Sequence, residues 1–153
     1  MKPQNLLRVY ADADVLFRAA TASHEYTAAI VLLRMAEFTL LDVVSAAYTV
    51  EEALRALRTY LPDQAPLLLQ LVGRSIRVVD DPSPSLLQAY KTQAHWKDVI
   101  NLAAAVDAQA HVLGTYNVRD YRPQPGVVRI MTPGELVTAS REAVYLTLGA
   151  APD

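Results

Sequence analysis

Apolar and polar positions follow two rhythms along this chain. Short apolar runs of strand length stand at residues 8–11, 38–44, 76–79, 111–114 and 127–130. Between them lie longer stretches whose apolar positions fall three and four apart, the spacing that lines one face of a helix. Residues 27–37 carry Ile30 and Leu33, with Ala29 and Leu32 widening the face. Residues 45–61 carry Ala46, Val50, Ala53, Leu57 and Tyr60, and residues 97–109 carry Val99, Leu102, Ala103 and Val106. Residues 66–72 read as a further helix, with Gly73 placed to close it. At Thr132-Pro133-Gly134-Glu135 a capping threonine, a first-turn proline and a capping-box glutamate open a last helix that holds Val144, Leu146 and Leu148.

This alternation predicts an α/β fold, a central and mostly parallel sheet of four to five strands flanked by helices on both faces. With 153 residues and neither repeat nor linker, residues 1–153 are expected to form one domain. Hydrophobic residues make up 52% of the chain, enough to fill a sizeable core. The net charge of -2 supplies no global basic field, so nucleic acid could be held only by a local patch. Cysteine is absent, which excludes disulfides, thiolate zinc sites and cysteine nucleophiles, and suits a reducing cytoplasm. Arg8 and Asp12 interrupt any leader-like apolar stretch, and Arg34 and Glu37 break the best candidate span, residues 28–41. The expectation is a soluble, cytoplasmic protein with no membrane contact.

In parallel sheets the functional crevice lies beyond the carboxyl ends of the strands. Asp12 and Asp14 directly follow the first strand, and Asp120 follows the strand at 111–114. Asp98 opens a helix, and Glu51 and Glu52 lie in the first turns of the helix after the second strand. Carboxylates delivered this way repel one another unless a cation joins them, and hard divalent ions such as Mg²⁺ and Mn²⁺ take oxygen ligands of this kind. Each acid also has a structural reading. Asp12 and Asp14 could cap a turn, Asp98 could complement a helix dipole, Thr49-Val50-Glu51-Glu52 matches a capping box, and Asp120 suits a turn.

Five segments together resemble the PIN domain, a family that includes the VapC-type toxin ribonucleases. Asp12-Ala13-Asp14-Val15-Leu16 is similar to its opening motif, and Glu52 within residues 50–57 to its second acid. Asp98, ahead of the alanine-rich stretch Leu102-Ala103-Ala104-Ala105, resembles the third. Thr115-Tyr116-Asn117-Val118-Arg119-Asp120-Tyr121 resembles the family's Thr-x-Asn-x-x-Asp-aromatic segment, and Thr132-Pro133 the start of its closing helix. The resemblance spans about residues 7–140. It implies a metal-dependent ribonuclease in which Asp12, Glu52, Asp98 and Asp120 hold Mg²⁺ or Mn²⁺ and act in catalysis, with Thr115 and Asn117 hydrogen-bonding behind them. It further implies an RNA substrate, a homodimer and, for a toxin, a cognate antitoxin. Ile30 and Leu33 are the candidate dimer contact. Glu51 competes with Glu52, but Ala53, Ala56 and Leu57 put Glu52 in the better register. Asn117 stands where some members have aspartate, which leaves a second metal open. The competing reading is a PIN-like scaffold that binds RNA or protein without cutting.

Other residues carry less. His24, His95 and His111 are too scattered for a histidine metal site or triad. Trp96 and Tyr121 could stack on bases or serve at the edge of the core. Arg55, Arg58, Lys91, Lys97, Arg119 and Arg122 could line a phosphate path or a solvated face. None of the five glycines forms a phosphate-binding loop.

Overall fold

The computed structural model of the chain describes residues 6–21 and 26–149, so His24 and the terminal residues lie outside the described part. Five strands, β1 (Arg8–Ala11), β2 (Asp42–Ala46), β3 (Ile76–Val79), β4 (Val112–Gly114) and β5 (Arg129–Met131), form one sheet in the order β3-β2-β1-β4-β5. Every pairing is parallel. The helices are α1 (Ala13–Thr21), α2 (Ala28–Glu37), α3 (Ala47–Tyr60), α4 (Ala65–Ser75), α5 (Pro84–Tyr90), α6 (Val99–Asp107) and α7 (Pro133–Thr147).

Alternation along the strands divides the core in two. Val9 and Ala11 of β1, Val43 of β2 and Val112 of β4 face a larger cluster built with α1, α2, α3, α4 and α7. Tyr10, Val44, Ala46 and Leu113 face the opposite side, where Leu102, Ala104 and Ala105 of α6 cover them. Helices therefore flank both faces of an all-parallel sheet. Chain order runs outward from β1 to β2 and β3, then crosses back to β4 on the other side of β1. The reversal lies between β1 and β4, and there the loops diverge to leave a crevice at the carboxyl edge. Gly114, which ends β4, packs closely: a Cβ there would stand 3.3 Å from the Leu136 side chain of α7, which would have to shift to admit it.

The structure revises several expectations. Residues 38–41 are not strand. Thr39 takes a positive φ of 61° and turns the chain, and the strand proper begins at Asp42. Apolar runs of this length do not by themselves distinguish strand from turn. Gly73 does not close α4, which continues to Ser75. Helices α1 and α5 were not anticipated. Thr49 caps nothing: Ala46 is the N-cap of α3, and the Tyr48 N–H donates to Asp81 Oδ1 at 2.8 Å. The stripe of Ile30 and Leu33 is buried in the core beneath α2 and cannot form a two-fold contact. The start of α7 is as expected, with Thr132 Oγ1 accepting from the Glu135 N–H at 3.2 Å and donating to its carboxylate at 3.1 Å.

At the amino edge of the sheet Asp42 is 4% exposed. It accepts from Arg8 Nε at 2.8 Å and from Arg77 Nη2 at 2.9 Å, tying β1, β2 and β3 at their starts. Removing this carboxylate takes from Arg77 its acceptor and leaves Arg8 only the Ala108 carbonyl, though both guanidinium groups are partly solvated and lose less than fully buried charges would. Asp42→Ala is expected to lower unfolding stability by about 1–3 kcal/mol, read as a shift in urea midpoint. A midpoint equal to that of the unaltered protein would show the ion pairs to be dispensable.

Candidate functional site

Asp12 ends β1 and its backbone N–H donates to the Gly114 carbonyl at 3.0 Å, so it leaves the sheet at the reversal between β1 and β4. Its side chain is buried, and each oxygen receives two donors. Oδ1 accepts from the Ala13 N–H at 2.6 Å and from Asn101 Nδ2 at 3.2 Å. Oδ2 accepts from the Tyr121 hydroxyl at 2.7 Å and from Thr115 Oγ1 at 2.9 Å. These donors come from α1, α6 and the segment after β4, so one carboxylate gathers most of the carboxyl edge around itself.

Behind it runs a buried polar chain. The Asn101 carbonyl accepts from Thr49 Oγ1 at 2.6 Å and from the Tyr10 hydroxyl at 3.1 Å, while the Tyr10 and Thr49 oxygens stand 2.7 Å apart. The Asn101 amide then donates forward, to Asp12 and to the Tyr121 oxygen at 3.2 Å. An asparagine between a donor pair and a carboxylate can satisfy both only with its oxygen on one side and its nitrogen on the other, which orients it uniquely. Burial raises the Tyr10 and Tyr121 pKa values, and the charge of Asp12 adds to both, keeping the phenols protonated as donors.

Of the predicted residues, Thr115 is fully buried and touches Asp12 directly. Its hydroxyl oxygen also lies 3.2 Å from Asp14 Oδ2, so one proton is shared between two carboxylates, and it accepts from the Asn117 N–H at 3.0 Å. Asn117 thus takes part through its backbone, and its side chain is exposed. Asp98 is half-buried at the start of α6 and makes no capping hydrogen bond. Its carboxyl is pushed up to about 7 by burial and then by Asp12, Asp120, Glu52 and Asp14 in turn. The other three predicted acids, together with Asp14, thus all act on Asp98. Burial also raises the Glu52 carboxyl, with Asp12 adding to it, whereas Glu51 turns outward and pairs with Arg58 at 3.3 Å. For Asp12 the upward push of burial, aided by Asp120, outweighs its donors.

Sequence reasoning missed the chain that positions Asp12, namely Tyr10, Thr49 and Asn101. Tyr121, read as a stacking or edge-of-core aromatic, is 5% exposed and serves as a hydrogen-bond donor. The signal available was its place directly after Asp120. His111 supports a strand edge, where its Nδ1 accepts from the Arg8 N–H at 2.9 Å.

The donor set consists of carboxylate oxygens, the chemistry suited to Mg²⁺ or Mn²⁺. Asp14 adds a specific sign of fit: its Oδ1 is buried with no hydrogen-bond partner, and burial followed by the charge of Asp12 lifts its carboxyl to about 6. Among the described residues, however, no three acids close tightly enough in this arrangement to share one ion. A metal would have to draw Asp98, Glu52 or Asp120 inward toward Asp12.

The fold has known counterparts. PAE2754 from Pyrobaculum aerophilum superposes with a TM-score of 0.60 at 16% identity, over 88% of this chain and 96% of that one. VapBC2 from Rickettsia felis, solved bound to a DNA fragment from its promoter, superposes at 0.63 and 11% identity over 82% and 98%. VapC20 from Mycobacterium tuberculosis, a toxin that cleaves the sarcin-ricin loop, superposes at 0.51 and 11% identity over 69% and 86%. No family profile matches the sequence, and no curated protein does.

Carboxyl pKa values of about 7 for Asp98 and about 6 for Asp14 exceed the value of about 3.9 for an unfolded aspartate. The folded state therefore holds protons more tightly than the unfolded chain. The resulting stabilisation is complete below about pH 4 and is lost as pH rises through about 6 and 7. In EDTA the contribution of these groups should lower the melting temperature between about pH 5 and 8, and Asp98→Asn should flatten that decline. Parallel profiles for the two proteins would remove Asp98 from the acid field.

Proposed function

We propose that this chain, which has the fold of the VapC-type PIN domain, is a metal-dependent ribonuclease and the toxin of a toxin–antitoxin pair. The observation that carries this reading is the mutual field of Asp12, Asp14, Glu52, Asp98 and Asp120 at the carboxyl edge of the sheet. Clustered carboxylates at the reversal point of a parallel sheet are costly unless a cation uses them. In this reading Asp12, Glu52, Asp98 and Asp120 hold Mg²⁺ or Mn²⁺. The bound ion supplies an activated water and neutralises charge as a phosphodiester bond is broken. The protein contributes position: Thr115, Asn101 and Tyr121 fix the Asp12 oxygens, and Asp98 and Glu52 approach from α6 and α3.

A second reading has one observation in its favour. Asp12 already has four protein donors, as it would in a scaffold of PIN type that binds without cutting. Cleavage of single-stranded RNA in Mn²⁺ or Mg²⁺ separates the two. The unaltered protein should cut, EDTA should stop it, and Asp12→Asn should reduce the rate by about 100-fold or more. The Thr115 and Tyr121 hydroxyls can rotate to accept from the new amide, so the variant should remain folded. Mn²⁺ should raise the melting temperature of the unaltered protein and not that of Asp12→Asn. Uncut RNA in every sample, with no thermal shift, would leave the scaffold.

A homodimer and an antitoxin also belong to this proposal. Phe38 and Leu40 after α2, with Val144, Leu146 and Leu148 late in α7, are exposed apolar residues beside a groove of about 370 Å³. They replace Ile30 and Leu33 as the candidate contact. Sedimentation should give a dimer at micromolar concentration that Leu40→Asp weakens, and a monomer for the unaltered chain would remove the homodimer. Among the described residues no helix is long and apolar enough to cross a membrane.

A further inference from the structure

An open cleft of about 660 Å³ runs beside the acid cluster and shares Glu52 with it. Its volume falls in the range of about 300–1,000 Å³ typical of small-ligand sites. Leu87 of α5 and Ile100 of α6 provide apolar wall, and Lys91, Trp96 and Lys97 stand along it. The lining is neither a plain apolar groove nor a charged surface. It brings an aromatic platform and two lysines into the same cleft as the Glu52 carboxylate.

Trp96, the chain's single tryptophan, is 75% exposed. Its loop is nonetheless firmly held. Ala94 forms an antiparallel bridge with Tyr121, the His95 N–H donates to the Asp120 carbonyl at 2.7 Å, and the Arg122 N–H donates to the Gln93 carbonyl at 2.7 Å. The indole is thus tied to the segment that carries Asp120 and lies two residues before Asp98. Lys97 Nζ lies 5.3 Å from the centre of the ring, and the His95 ring lies 5.8 Å from it. A large indole displayed to solvent on a rigid loop forgoes burial that it would gain elsewhere. A flat, cation-flanked π-face of this kind suits an unstacked nucleobase.

We infer that this cleft seats a nucleotide of single-stranded RNA next to the bond to be cut, with its base stacked on Trp96 and its phosphates against Lys97 and Lys91. This rests on the ribonuclease reading and deepens it. The lysines would draw the phosphate backbone into the cleft, while the acid cluster that adjoins it at Glu52 repels bare phosphate. A paired base is already stacked in its helix and cannot use the platform, which makes the site selective for unpaired RNA.

The test uses Asp12→Asn protein, to prevent cutting, and a ten-nucleotide single-stranded RNA followed by fluorescence of Trp96 and, separately, by anisotropy of a labelled end. Binding should quench the tryptophan, while a blunt RNA duplex should leave it unchanged. Trp96→Ala should weaken binding by about 5- to 100-fold and Trp96→Phe by much less. Lys97→Ala should lower the slope of log affinity against log salt by about 0.7, the share of one single-strand phosphate contact. Anisotropy showing binding while fluorescence is unmoved, or Trp96→Ala binding as tightly as its parent, would overturn the cleft assignment alone if the unaltered protein still cuts RNA. Absence of both binding and cutting would instead overturn the ribonuclease reading beneath it.

Discussion

The carboxyl edge of this protein is organised by one buried charge. Asp12 sits where the sheet reverses direction, with only a sliver of its surface in water. A carboxylate in such a place must be matched by donors or give up its charge. The chain supplies those donors from three separate segments, and through them α6 and the loop after β4 are held against β1. Stability and chemistry therefore compete for the same oxygens. Burial and then the charge of Asp12 raise the carboxyl pKa values of both Asp98 and Asp14, so the donors around Asp12 do not balance the cluster as a whole.

The opposite edge handles the same problem in another way. There Asp42 meets arginines from β1 and β3, and charge is balanced within the chain. Two buried aspartates at the two ends of one sheet thus differ in kind. One is neutralised by fixed cations, and the other is surrounded by further acids. Only the second calls for something from outside.

Much of the fold was legible because the strand runs and helical stripes are strong and local. β1 and β3 were read to the residue, and the opening of α7 followed from its capping residues. Failures came where a local signal has two physical causes. An apolar run at residues 38–44 served partly as a turn and partly as β2. A glycine fit to end α4 was tolerated within it. α5 is short and contributes no buried side chain, so it leaves little periodicity to detect. The apolar stripe of α2 was read as a two-fold contact and is instead buried in the core, because a stripe does not say whether its own domain or a second molecule covers it. At the site, carboxylates were legible as types. The Tyr10–Thr49–Asn101 chain was not, because its members lie 39 and 52 residues apart and only the folded sheet joins them.

The two walls of the cleft differ in mechanical character. On one side the Trp96 loop is tied to the segment that carries Asp120 by the Ala94–Tyr121 bridge and two backbone hydrogen bonds. On the other, α5 rests on α6 with every side chain at least partly solvated. Segments with so little buried surface open at low free energy, and their amides exchange with solvent long before those of the strands do. The cleft thus resembles a bench vice, with one fixed jaw that carries the chemistry and one sliding jaw that sets the gap. Width can then vary between guests of different bulk, or drift over evolutionary time, without disturbing the charges on which the rest of the molecule is built.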